Sequence, residues 1–383
     1  MHEPFSLHVP TQVMFGDGVS QQVCDVLPNN TRCVALLRGG RGVASEPVAS
    51  LLEARGISVH RVACGGEPSV ASVNDAVAAL YGQSIDALVA CGGGSVIDSG
   101  KAVAFCLGHN IRLSQDFSEV PADLLSQPAP LPLVAIPTTA GTGAEVTANA
   151  VLDIPTKCAK VSLRGKALHA RHALVDPLLL PSAPPQTVLS SGLDAVVQTI
   201  EAYTSCAATP FSDALTEPNI ARGLHALKTV LGTGGVTAWR DLAWVSLASG
   251  IALANSGLGA AHGAASILGG RYGAPHGALC GRLLVPVLRQ NLARCAPGSQ
   301  TETRLTHCIF EIARAFPPVS GQDNLSGLEV WQSNQGLPNL SALGVEERAI
   351  PVLAEQSALA SSSKRNAVRL KVEDYQSILR SAF

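Results

Sequence analysis

Charge is scarce in this chain. Charged residues make up 15% of its 383 positions, and 27 Lys plus Arg nearly balance 29 Asp plus Glu for a net charge of -2. So close a balance gives no attraction for a polyanion, which argues against nucleic acid and anionic membranes as partners. Met1 to Val9 lacks a basic start followed by an apolar core, so no secretion signal is expected there. Among the ten cysteines (Cys24, Cys33, Cys64, Cys91, Cys106, Cys158, Cys206, Cys280, Cys295 and Cys308) no CxxC pair occurs. That argues against a cysteine metal knuckle; several of the cysteines lie in apolar runs, where Cys acts as a small hydrophobe, and the set reads as free thiols in a reducing cytoplasm. The ordinary dinucleotide fingerprint GxGxxG is missing as well.

Apolar residues are plentiful, at 46%. One run, Leu242 to Gly270, carries no charged residue at all and is long enough to span a bilayer. Ser246, Ser249, Asn255, Ser256, His262 and Ser266 interrupt it, and this polar content predicts a buried helical core instead.

The first half alternates two periodicities. Val34 to Leu37, Ser58 to Ala63, Ala87 to Cys91 and Leu133 to Ile136 read as buried strands. Glu46 to Arg55 and Val70 to Tyr81 carry helical spacing, with Ser69 placed to cap the second. Strand and helix in alternation predict a parallel sheet covered on both faces. Past Pro184-Pro185 the β-branched runs thin out. Asp194 to Tyr203, Ala214 to Leu231, Leu242 to Leu253 and Arg304 to Ala315 read as helices. The expected architecture is an α/β Rossmann-like domain over 1–185 followed by an all-helical domain over 186–383. Near the end, Ser363 to Arg369 is basic and reads as solvated surface.

Three segments carry chemistry. In Cys91-Gly92-Gly93-Gly94-Ser95-Val96-Ile97-Asp98 a strand runs into three glycines and then a helix. Glycine lets the backbone approach a phosphate, and a helix N-terminus favours the anion; a tight turn without ligand would use the same residues. Pro137-Thr138-Thr139-Ala140-Gly141-Thr142-Gly143-Ala144-Glu145 follows the next strand. Its hydroxyls can line a cofactor site or merely face solvent. In the helical half, Asp194 and Gln198 share a helix face, and His262 and His276 follow. A carboxylate with two imidazoles suits Zn²⁺ or Fe²⁺, although either histidine alone would read as a core residue.

These segments, together with Val175-Asp176-Pro177, Gly192-Leu193-Asp194-Ala195, Ile200-Glu201-Ala202-Tyr203, Gly257 to His262 and Tyr272 to Gly277, occur in the order and spacing of one family. Nearly the whole chain resembles the iron-containing alcohol dehydrogenases. The resemblance implies a nucleotide-binding α/β domain, a helical domain, and an active site in the cleft between them. It implies a pyrophosphate cradle at Gly93, Gly94 and Ser95, and further cofactor contacts at Asp98, Thr138, Thr139, Thr142 and Lys160. It implies metal ligands at Asp194, Gln198, His262 and His276, and substrate near Asn149.

Two positions depart from the family pattern. Gln198 stands where histidine is usual, and an amide oxygen is a weaker, neutral ligand. Ser266 stands where a proton-relaying histidine is common. A third comparison concerns the cofactor. NAD users of the family often place an aspartate just after the first strand of the nucleotide domain; here Arg38-Gly39-Gly40-Arg41 follows, with Gly39 at that place. Loss of a repelling carboxylate and two nearby arginines imply NADP(H) over NAD(H). The implied activity is reversible reduction of a small aldehyde or ketone, by a cytoplasmic homodimer with one Fe or Zn ion acting as Lewis acid. Asp194, His262 and His276 would be catalytic, with Ser266 at the relay position. The rival expectations are a metal-free maleylacetate reductase-like enzyme, a non-redox lyase related to dehydroquinate synthase, and a nucleotide-binding pseudoenzyme.

Overall fold

The structure, a computed structural model, describes residues 5–114, 117, 120–154 and 159–383. The chain divides into two compact units: Val9–Pro184, and Pro185–Phe383 together with Phe5 to His8. The expected boundary at 185 left those first positions with the α/β part. They belong instead to the helical unit, where the backbone N–H of His8 donates to Asn255 Oδ1 at 2.8 Å.

The first unit contains, in chain order, β1 (Gln12–Phe15), β2 (Cys33–Gly39), α1 (Glu46–Ala54), β3 (Ser58–Cys64), α2 (Val70–Leu80), β4 (Ala87–Gly92), α3 (Gly94–His109), α4 (Ala122–Ser126), β5 (Leu133–Pro137), β6 (Asn149–Ile154), β7 (Ala159–Arg164) and β8 (His172–Val175). Six strands form one parallel sheet in the order β1-β8-β5-β4-β2-β3, and β6 and β7 pair antiparallel. Alternate residues feed two cores. Ala35, Leu37, Leu88, Ala90, Leu133 and Ala135 pack with α2, α3 and the β6–β7 pair. Val34, Leu36, Val89, Val134 and Ile136 pack on the other face with Val48 and Leu52 of α1. Burial on both faces explains why these strands read as uninterrupted apolar runs. Ser69 caps α2 as expected, through a reciprocal box with Ser72.

The strand order reverses direction at β2 and β4. From β2 the chain steps outward to β3, then returns to the other side of β2 and continues to β5. Open α/β sheets bind ligands outside the carboxyl ends of the strands at such a switch point. Arg38 of β2 lies in register with Cys91 of β4, so two glycine-rich turns leave from neighbouring strand ends. Strand β2 also runs two residues past its predicted end. Arg38 and Gly39 are ladder residues, paired with Ala63 and Cys64 of β3.

The second unit comprises α5 (Pro185–Thr204), α6 (Pro210–Gly232), α7 (Val236–Ser256), α8 (Ala260–Tyr272), α9 (His276–Arg294), α10 (Gln300–Ala315), α11 (Ser326–Asn334), α12 (Ile350–Leu359) and α13 (Val372–Ser381). Helix α5 is central, packed on α6, α7 and α9, and it is buried continuously from Gly192 to Thr204. It starts nine residues before the predicted Asp194. Gly192 lies inside it, where Leu227 of α6 occupies the place that a side chain would take. The uncharged run breaks at Gly257–Gly259 into α7 and α8, which meet at 98°. Among the described residues no single helix is long and apolar enough to cross a membrane.

Candidate active site

Helix α3 begins at Gly94 with Gly93 as its N-cap, and no side chain caps it. The end of this 16-residue helix is an anion-binding position by its free N–H groups and its dipole. The threonine-rich loop lies directly against it. A Cβ on Gly93 would come within 3.2 Å of Thr139 Oγ1, and one on Gly94 within 2.7 Å of Thr142 Oγ1. Thr138 N–H donates to the carbonyl of Gly92 at 2.9 Å. The two segments noted separately in the sequence are therefore one structure, and the bare glycine backbone suits a pyrophosphate.

Other cofactor candidates stand in varied surroundings. Gly39 and Gly40 have no atom within 4 Å of where a side chain would begin. The Arg38 guanidinium folds back over Gly42, and its buried Nε has no hydrogen-bond partner; Arg41 is exposed, and Ser95 half-buried. Asp98 accepts from Val151 N–H at 2.9 Å and lies 3.5 Å from Lys101 Nζ. Lys101, fully buried, also donates to Thr147 Oγ1 at 3.0 Å and to the carbonyl of Asn149 at 2.8 Å. Burial pushes the Asp98 carboxyl upward, against the pull of Lys101, and pushes Lys101 downward. Lys160 pairs with Glu67 at 3.1 Å.

In the helical unit, α5 supplies Asp194, α8 supplies His262, and α9 supplies His276 and Cys280. Their donor atoms all lie within 4.8 Å of one another. Gly277 and Gly281 allow this approach: Gly277 presses on the Ser190 carbonyl, and a Cβ on Gly281 would meet Leu193 at 2.6 Å. Glu201, seven residues after Asp194 on α5, orients His262 by accepting from Nδ1 at 2.7 Å. The same carboxylate accepts from the N–H groups of Gly259 at 2.9 Å and Ala261 at 2.6 Å, while Asn366 Oδ1 accepts from Ala260 at 3.0 Å. The first turn of α8 is thus capped from distant elements.

This orientation decides the chemistry. A carboxylate only accepts, so Nδ1 carries a proton and Nε2 is the ring atom whose lone pair is available to a ligand. Nε2 faces Asp194 Oδ1 at 3.3 Å, and both atoms are buried without a hydrogen-bond partner. Two lone pairs in that relation repel unless a proton or a metal cation lies between them. Desolvation disfavours charge on His262, yet Cys280, Asp194 and Glu201 together drive its pKa well above the ordinary imidazole range. Burial likewise opposes charge on Asp194, but His262 and His276 hold its pKa below the usual carboxylate value. Burial pushes the Cys280 thiol up to about 12. The set stabilises positive charge, and its carboxylate and imidazoles fit a divalent metal.

Two further expected members have hydrogen-bond partners of their own. Gln198 is buried beside the set on α5, with its Nε2 donating to Ser249 Oγ at 2.9 Å. Ser266 donates to its own helix, to the Gly263 carbonyl at 2.8 Å. Sequence reasoning missed Cys280, Glu201 and Asn366. Cys280 follows His276 by four and Glu201 follows Asp194 by seven, both helical spacings on one face. Cys280 is buried, and its neighbours include the ionisable groups Asp194, His262 and His276.

A parallel nucleotide-binding sheet joined to a helical unit with a carboxylate–imidazole cation site defines a metal-assisted, nucleotide-dependent enzyme. The profile of iron-containing alcohol dehydrogenases matches residues 10–177, and that of the C-terminal part of the Fe-containing alcohol dehydrogenase family matches 188–383. The chain belongs to the iron-containing alcohol dehydrogenase family. It is 29% identical to alcohol dehydrogenase 4 of Saccharomyces cerevisiae over 98% of both chains. It is 29% identical to the NAD-dependent methanol dehydrogenase of Bacillus methanolicus over 82% of both. The iron-containing alcohol dehydrogenase of Thermococcus thioreducens superposes with a TM-score of 0.79 at 26% identity, covering 98% of this chain and 99% of that one. The protein is therefore an oxidoreductase of this family, acting with a nicotinamide cofactor and a divalent metal.

Proposed function

We propose that the enzyme reduces a small aldehyde or ketone reversibly, preferring NADPH, with the metal held by Asp194, His262 and His276. The observation that carries this reading is the convergence of Asp194 Oδ1 and His262 Nε2, 3.3 Å apart and both buried without a hydrogen-bond partner, on a point where a cation can be held. Glu201 fixes the His262 ring so that Nε2 is presented as a ligand. Asp194 contributes the negative charge, and near-complete burial of both residues excludes water and strengthens every electrostatic interaction there. Bound in this way, a divalent ion supplies Lewis-acid polarisation of a carbonyl oxygen. The N-terminus of α3, bare at Gly93 and Gly94, takes the pyrophosphate, and the nicotinamide supplies the hydride. His276, whose side chain is 30% exposed, gives the set its contact with solvent. The Ser266 proton is committed to Gly263, which supports a proton route that bypasses this position.

The preference for NADPH rests on the open space at Gly39 and on Arg38 and Arg41 beside it. A homodimer and a cytoplasmic location complete the reading, the latter supported by nine free thiols among the described residues. Oxidation of NADPH and of NADH with a panel of small aldehydes and ketones tests it. Turnover with NADPH preferred is expected, and no turnover with any carbonyl compound would overturn it.

A further inference from the structure

We propose that Cys280 is a metal ligand in this chain, a thiolate that completes the shell begun by Asp194, His262 and His276. The inference rests on the metal reading above and adds a donor to it.

Four observations carry it. First, Cys280 and His276 are four residues apart on α9 and so share one helix face. The glycines at 277 and 281 bring that helix hard against α5, which carries Asp194. Second, three of the separations suit one small ion, and all donor atoms lie within 4.8 Å of one another. Asp194 Oδ1 lies 3.3 Å from His262 Nε2 and 3.8 Å from His276 Nε2, and Cys280 Sγ lies 3.6 Å from His276 Nε2. Tetrahedral bonds of about 2.0–2.3 Å place donor atoms about 3.3–3.8 Å apart. Third, Cys280 is wholly buried beside two polar atoms that are themselves buried and unpartnered, Asp194 Oδ1 and His262 Nε2. Fourth, Gln198 offers at most a neutral amide oxygen, and its Nε2 is anchored on Ser249. A thiolate supplies the charge and donor strength that this amide lacks.

The step is proton exchange without redox change. The Sγ–H bond breaks, a coordinate bond from Sγ to the ion forms, and the proton passes to solvent. Two anionic donors and two neutral imidazoles then balance a divalent ion. A soft sulfur donor also favours zinc over iron(II) within an N/O/S site.

X-ray absorption at the metal edge of the zinc-loaded wild-type protein tests this directly, because it requires no variant. One sulfur scatterer at about 2.3 Å is expected. Replacement of the metal by cobalt(II) gives a second readout. A sulfur-to-cobalt charge-transfer band in the near ultraviolet is expected for wild type and not for Cys280→Ser. Zinc affinity in Cys280→Ser should fall by more than the ~10–100-fold typical of losing an outer-shell partner. Stoichiometric metal with only nitrogen and oxygen scatterers and no charge-transfer band would overturn the Cys280 assignment while leaving the metal site intact. Failure of the wild type to bind zinc or cobalt at all would overturn both.

Discussion

Glu201 holds His262 twice: Oε2 accepts from Nδ1 at 2.7 Å and also lies 3.4 Å from the backbone N–H of the same residue. One carboxylate therefore fixes both the ring of His262 and the start of the helix that carries it. Glu201→Gln keeps the shape but removes the charge. Its metal affinity should fall by ~10–100-fold, as when other outer-shell partners are lost. Competition with a chromophoric chelator measures this; an unchanged affinity would show that His262 is oriented by something else.

The glycine turn gives a second prediction. Gly94→Asp places a carboxylate where pyrophosphate is expected, and its Cβ would sit 2.7 Å from Thr142 Oγ1. Nucleotide affinity should drop by about 100-fold or more, since even 3 kcal/mol of repulsion and lost space amounts to that. Circular dichroism should remain that of the folded protein. Wild-type nucleotide affinity in this variant would place the pyrophosphate elsewhere.

Cofactor choice gives a third. Gly39→Asp should shift the ratio of kcat/KM for NADPH over NADH towards NADH by about 10-fold or more, an effect of ~1.4 kcal/mol. The open space at Gly39 means that the new side chain should cost little stability. Steady-state kinetics of both proteins with both cofactors decides it, and an unchanged ratio would remove Gly39 from the specificity determinants.

A fourth concerns the buried cation of the α/β unit. Lys101 holds Asp98, Thr147 and the Asn149 carbonyl together from a side chain with no exposed surface. Lys101→Met should destabilise the protein by about 3 kcal/mol or more, because it strands a buried carboxylate. Asp98→Asn combined with Lys101→Met should recover part of that loss. Denaturant unfolding of Lys101→Met, Asp98→Asn and the double variant measures the coupling, and additive losses would contradict the pairing.

The sheet was legible because β2, β4 and β5 are buried on both faces and leave unbroken apolar runs. Helix α5 was legible in its second half only, because its first turns are partly exposed and its continuous burial begins at Gly192. Asp194, His262 and His276 could be proposed from residue type and family spacing. Cys280 is missed by a search for paired cysteines because its neighbour is a histidine one helical turn away. Asn366 lay in a tail read as basic surface. Lys364, Arg365 and Arg369 are indeed exposed, but Asn366 is buried and bonds Ala260, a contact across 106 positions that no local pattern encodes.

Carbonyl reduction before and after removal of the metal tests the central claim most directly. The purified enzyme is assayed with NADPH and an aldehyde that it turns over. It is then stripped with a strong chelator and assayed again, with and without added zinc or iron(II). Loss of activity on stripping, with recovery on adding one equivalent of metal per chain, is the predicted result. Full activity in protein that elemental analysis shows to be free of metal would contradict it.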